Sequence, residues 1–394
     1  MIGLEATISI RKEEFAFVDL LNGTIDTINK IYTPVLFTLI SIILISNNYL
    51  VFKFQCWSSE GFFHNLYINS YCYMKGTISI PDNQPLPETR FDWSSYRMDS
   101  TISYIPYLAV MIAIAGLLST LPSMLWRSFC QNYSVVEIMD FVESVNITDN
   151  SLNQVSAQSY LKVVEKFEKA NYINRDFRTG YSSDFQRFLA KYFNFLTFDK
   201  RQGTWFVSWY IVVKVLSLFV YLLIIMGLEA SFSYKLNWLA FPNFIADTYI
   251  YGNVSNRTLM FPTVGFCLLE DVRSIKAANT AVHQCFIPAN CYNEKLFCFV
   301  WCYCVVMLLV NIYSLIKWIG WTMIRPFHVR FVKSILKKIK DKAKVDRFTY
   351  EFLKSDGTFI FKMMLNNCTK FTISKLMYKL AERYDDDLTI KVKE

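Results

Sequence analysis

Long apolar stretches alternate with polar segments along the chain. The first runs from Ile31 to Phe52 and the second from Ser100 to Trp126, both without a charge. The third, Thr204 to Leu228, holds one charge, Lys214, and the fourth, Leu296 to Ile316, is bracketed by Lys295 and Lys317. A bilayer crossing needs about 20 apolar residues. One such run taken alone reads equally as a buried core helix. Four of them predict a four-helix membrane bundle, an all-α membrane protein.

Composition supports the pattern. Hydrophobic residues make up 53% of the 394 and charged residues 19%, whereas a soluble domain carries about 25% charged. Aromatic residues, at 17%, suit interfacial belts. Residues 1–30 carry Arg11, Lys12, Glu13, Glu14 and Asp19 and lack a continuous apolar core. The first run is therefore expected to be a retained span and not a cleaved leader.

Basic residues set the expected orientation. The loop after the first span holds four Lys/Arg and the loop before the fourth holds five, against ten in residues 127–203 and eighteen in residues 317–394. The positive-inside rule places the crowded segments in the cytosol. The expected organisation is a cytoplasmic N-terminal segment (1–30), a first span (31–52), an extracellular loop (53–99) and a second span (100–126). A cytoplasmic helical loop (127–203), a third span (204–228), a second extracellular loop (229–295), a fourth span (296–317) and a basic helical tail (318–394) follow. Both chain ends are cytoplasmic on this reading.

The tail opens with nine Lys/Arg from Lys317 to Lys344 offset only by Asp341. This run reads as a stop-transfer anchor on a solvated helix. Its sharper reading is contact with anionic membrane lipids, at roughly 1 kcal/mol per basic residue. A nucleic-acid partner is not expected. Within the 127–203 loop, Ser134 and Glu137 form a capping-box pattern. In the tail, Phe331, Ile335 and Ile339 predict an amphipathic helix, and Asp356-Gly357 a turn before helix resumes at Ile360. Loop and tail together predict a helical cytoplasmic dome.

Ten cysteines are present. Cys56 and Cys72 fall in the first outer loop, and Cys267, Cys285 and Cys291 in the second. The outer side is oxidising, so pairing is expected there; four cysteines allow three connectivities. Cys291, Cys298, Cys302 and Cys304 belong to the fourth span or its start. No histidine or carboxylate accompanies the last three at metal-ligand spacing, so they read as thiols filling a helix interface, with no metal and no cofactor expected. Sequons at Asn253 and Asn256 make these glycosylation candidates. Pro106, placed inside the second span, is expected to leave the Ile102 carbonyl unpaired and kink the helix, as a static bend or a gating hinge. Lys214 is too costly to face lipid and is expected to pair with a carboxylate or backbone carbonyls, or to line a pore. No phosphate-binding glycine loop, metalloprotease helix or paired catalytic carboxylates occur, so an enzyme is not expected.

Phe17-Val18-Asp19-Leu20-Leu21-Asn22, Gln55-Cys56-Trp57, Tyr71-Cys72-Tyr73, Gly76-Thr77, Pro81, Leu121-Pro122 and Leu125-Trp126-Arg127 follow one another along the chain. In this order they resemble the innexin family of invertebrate gap-junction proteins, relatives of pannexins. The most specific stretch is Phe261-Pro262, Cys267, Cys285, Pro288, Asn290, Asn293-Glu294-Lys295-Leu296-Phe297 and Trp301. Where the family has Tyr-Tyr-Gln-Trp-Val-Pro, this chain reads Thr101-Ile102-Ser103-Tyr104-Ile105-Pro106, which marks a divergent member. The resemblance implies two crosswise disulfides, Cys56 with Cys285 and Cys72 with Cys267. It implies an N-terminal segment folded into a pore mouth, where Glu5, Arg11 and Lys12 are selectivity candidates. It further implies a homo- or hetero-oligomer of innexin subunits, hexamer or octamer, at the plasma membrane. Such a ring would dock with an opposing channel in the neighbouring cell and pass ions and small metabolites. Two alternatives are an undocked hemichannel and a non-conducting adhesion or heteromeric assembly subunit.

Overall fold

The computed structural model describes residues 23–51, 53–57, 62–80, 93, 101–131, 203–232, 240–252, 260–269, 273–274, 277–278, 281–323, 325–336, 342–367 and 370–391. The expected helices of the 127–203 loop lie outside the described residues.

Four helices are long and apolar enough to cross a membrane: α1 (Thr24–Val51), α3 (Leu108–Gln131), α4 (Trp205–Phe232) and α6 (Asn290–Met323). Between α1 and α3 lie β1 (Gln55–Cys56), α2 (Phe62–Lys75), β2 (Thr77–Ile78) and β3 (Thr101–Ile102). Between α4 and α6 lie α5 (Ala240–Ile245), β4 (Val264–Leu269), β5 (Arg273–Ser274), β6 (Ala277–Ala278) and β7 (Ala281–Phe286). The tail forms α7 (Arg325–Ile335), α8 (Lys342–Arg347), α9 (Lys354–Asn367) and α10 (Lys370–Lys391). The fold is a four-span membrane bundle with disulfide-linked interhelical loops.

Two spans are longer than hydropathy alone predicts. α1 begins at Thr24, seven positions before the first apolar run, because its opening turn is polar but capped: the Asp26 carboxylate accepts the Gly23 N–H at 3.2 Å. α6 begins at Asn290, with polar Asn290, Asn293 and Glu294 all buried. α1 also carries two π-helical turns, Ile28–Tyr32 and Asn47–Val51, which flank its regular part.

The chain divides into two compact units. One comprises Met1–Lys30, Leu121–Leu218 and Val310–Glu394; the other comprises Ile31–Thr120 and Phe219–Leu309. In the first, Trp126, Tyr210, Trp318 and Phe359 form an edge-to-face aromatic cluster with ring centroids 5.1–6.4 Å apart. Tail residues Phe361, Met363, Met364, Met377 and Leu380 are fully buried in the same core, so the tail folds as part of this unit. The expected turn at Asp356-Gly357 is corrected. The chain breaks earlier, at Lys354 with its φ of 50°, and Asp356 falls in the first turn of α9. There its carboxylate accepts the Val207 N–H at 3.2 Å, satisfying one of the donors that the start of α4 leaves open.

In the second unit, α1 and α3 pack closely. A Cβ on Gly116 would come within 2.9 Å of the Phe37 Cβ, and the Ser41 hydroxyl donates to the Ala109 carbonyl at 2.7 Å. The unit also contains a five-stranded sheet of order β1-β7-β4-β2-β3 whose pairs are all antiparallel. Hydropathy did not foresee this sheet. Val264–Leu269 and Ala281–Phe286 are short, and their alternation is masked by cysteines and glycine. Pairing from Val264↔Phe286 to Leu269↔Ala281 sets their register.

Candidate functional site

The two interhelical loops that precede α3 and α6 are joined by this sheet and by covalent bonds. Cys56 on β1 and Cys285 on β7 are direct register partners, with sulfurs 2.04 Å apart. Cys72 on α2 bonds Cys267 on β4. Period-two alternation puts Gly265, Cys267 and Leu269 on one sheet face. Ile68 and Cys72 of α2 are fully buried in the cluster that contains Cys267, Leu269 and Cys285. Gly265 is required there, since a Cβ would meet the Thr77 side chain at 2.9 Å. The opposite face packs Ile78, Leu268 and Phe266 on Trp93. The Sγ atoms of Cys56, Cys72 and Cys285 lie within 4.8 Å of one another. That proximity follows from two adjacent disulfides, which hold no thiolate to offer a metal.

The remaining thiols lie elsewhere. Cys304 is buried in α6, as an interface-filling thiol should be, whereas Cys302 and Cys291 are exposed and Cys298 is intermediate. The interface reading therefore holds for Cys304 and is corrected for Cys302, because two residues along a helix turn a side chain by about 200°, to the opposite face.

Lys214 is 1% exposed. Its ammonium forms an ion pair with the Asp26 carboxylate, whose other oxygen accepts the Tyr210 hydroxyl at 2.7 Å. The ammonium also stands 5.2 Å from the Tyr210 ring centroid. Tyr210 and Lys214 are one helical turn apart, which aims both at Asp26. Sequence reasoning identified the lysine and missed its partner, because Asp26 falls before the first apolar run. The required counter-charge was the available signal.

Two buried amide pairs were also missed. In the first unit, Asn29 donates to the Asn311 side-chain oxygen at 2.9 Å. In the second, Asn293 donates to Asn48 at 3.1 Å. Asn29 and Asn48 each sit in one of the π-helical turns of α1, whose extra residue re-aims a side chain. Nearby, Asn290 donates to the Pro262 carbonyl at 2.8 Å, and the Tyr249 hydroxyl donates to the buried Glu294 at 2.9 Å.

Pro106 lies before α3 begins, in a turn where the Leu108 N–H donates to the Tyr104 carbonyl at 2.9 Å. Ile102 belongs to strand β3, opposite Thr77. The expected kink inside a span is thus corrected: no helical hydrogen bond is lost, and a proline at a helix start costs little. The proline within the helix is Pro122. Glu5, Arg11, Lys12, Asn253 and Asn256 lie outside the described residues.

Comparison with known proteins agrees with this architecture. The innexin family model matches residues 22–384. The chain is 23% identical to innexin unc-9 of Caenorhabditis elegans over 376 residues, covering 92% of each chain. It is 23% identical to innexin-19 of the same organism, covering 92% of this chain and 83% of that one. It is 24% identical to innexin-6, covering 92% and 87%. With nearly its whole length matched, from the start of α1 to the last tail helix, the chain belongs to the innexin family.

Proposed function

We propose that this chain is a subunit of a gap-junction channel with a large pore for ions and small metabolites between adjacent cells. The observation that carries the reading is the innexin match across residues 22–384. The two disulfides support it, since they brace two loops anchored on different spans into one rigid cap. A rigid cap is what ring-to-ring docking requires, because ordering mobile loops on contact would cost affinity.

In this reading the cap faces outside and residues 1–30, 127–203 and the tail face the cytosol, as the Lys/Arg distribution demands. Subunits assemble with innexins as a hexamer or octamer at the plasma membrane. The Asp26–Lys214 pair is structural: it fixes the start of α1, and the family resemblance gives the N-terminal segment the role of pore mouth. Glu5, Arg11 and Lys12 set ion preference there.

Expression in paired cells, alone and with other innexins, tests the reading. Junctional current supports it. Current only to the bath would make the protein an undocked hemichannel. Current only in mixed expression would make it an obligate heteromeric subunit, and none in any combination a non-conducting partner.

A further inference from the structure

The last turns of α6 carry Lys317, Trp318 and Trp321, and α9 brings Lys362 against them within the same compact unit. The Lys362 ammonium stands 4.3 Å from the Trp321 ring centroid and 5.5 Å from that of Trp318. Lys317 is exposed. Among the described residues neither lysine has a carboxylate partner, unlike Lys214, which pairs with Asp26, and Lys333, which pairs with Asp346. Among the described residues, two cations therefore converge without a counter-charge. Burial, and after it the Lys317 charge, pushes the Lys362 ammonium down to about 8. The indoles hold the Lys362 stem and partly stabilise its charge, but they supply no anion.

The location indicates what does. The apolar run of α6 ends at Ile316 and Lys317 follows it, so in a helix that spans a bilayer Trp318 and Trp321 fall at the level where the headgroups begin. We propose that Lys317 and Lys362, backed by Trp318 and Trp321, form a binding site for the phosphate of an anionic phospholipid headgroup. The site clips α9 to the end of α6 from the membrane side. This rests on α6 spanning a bilayer and not on docking between cells, so it stands or falls apart from junctional conductance.

The test uses the full chain reconstituted in phosphatidylcholine vesicles containing either brominated phosphatidylglycerol or brominated phosphatidylcholine, with tryptophan fluorescence as the readout. The expected result is stronger quenching by the anionic lipid. Lys317→Gln should weaken that preference roughly fivefold, and Lys317→Gln with Lys362→Gln about 30-fold. Because Lys317 is exposed, its single variant separates lost binding from lost folding. Arg330→Gln with Lys342→Gln, at exposed tail positions, should leave the preference largely intact. Equal quenching by the two lipids, or equal loss in the control pair, would overturn the site. Abolition of the preference by millimolar inorganic phosphate would reassign it to a soluble phosphate ester and overturn the lipid assignment.

Discussion

Lys214 sits within a 27-residue apolar span and is almost wholly buried. Removing one partner of such a pair strands the other charge, at about 3–5 kcal/mol, whereas replacing both with apolar residues is near neutral. Asp26→Asn and Lys214→Met should each lower thermal stability in detergent strongly, and Asp26→Leu with Lys214→Met should restore most of the loss. A double variant as unstable as the sum of the singles would mean the two act independently. His328 gives a residue-scale pH dependence. Burial pushes its imidazole down to about 4 from 6.5, and its Nδ1 meets the Thr358 hydroxyl at 2.7 Å. The unfolded chain therefore takes up this proton before the folded one does. Stability is full above about 6.5 and falls as pH drops toward about 4. Thermal unfolding from neutral to acid pH should show this fall, and His328→Gln should flatten it.

At the scale of elements, the spans were legible because twenty apolar residues have few alternatives. Their polar extensions were not. Thr24–Lys30 and Asn290–Lys295 look like loop by hydropathy, yet capping and buried amide pairs hold them helical. The sheet was hidden for another reason: strands of two to six residues pair across segments far apart in sequence, and no local pattern encodes that register. Pro106 was misplaced by the same fault, since the apolar run includes strand β3 and a turn as well as helix α3. Two close approaches can be tested. Gly265→Val should press on Thr77 and Gly116→Val on Phe37, each losing about 1–3 kcal/mol by overpacking. Asp356→Ala removes the acceptor at the start of α4 and should cost about 1 kcal/mol. Thermal melts compare all three, and an unchanged Asp356→Ala melt would count against the cap.

For the whole molecule, four spans, two disulfides and an innexin match across residues 22–384 form one argument. The cysteine pairing was implied by family resemblance and not by spacing, which left three connectivities open. The register Cys56↔Cys285 supplies a physical reason for one of them, because it places those sulfurs face to face across neighbouring strands. Each disulfide closes a loop of about two hundred residues, so its loss should cost about 2–4 kcal/mol and loosen the cap. The most direct measurement is junctional conductance between paired cells expressing the wild-type chain or Cys72→Ser. Conductance in the wild type, and none in the variant despite matched protein levels, is the predicted result. Full conductance through Cys72→Ser, or no wild-type conductance alone or with any other innexin, would contradict the account.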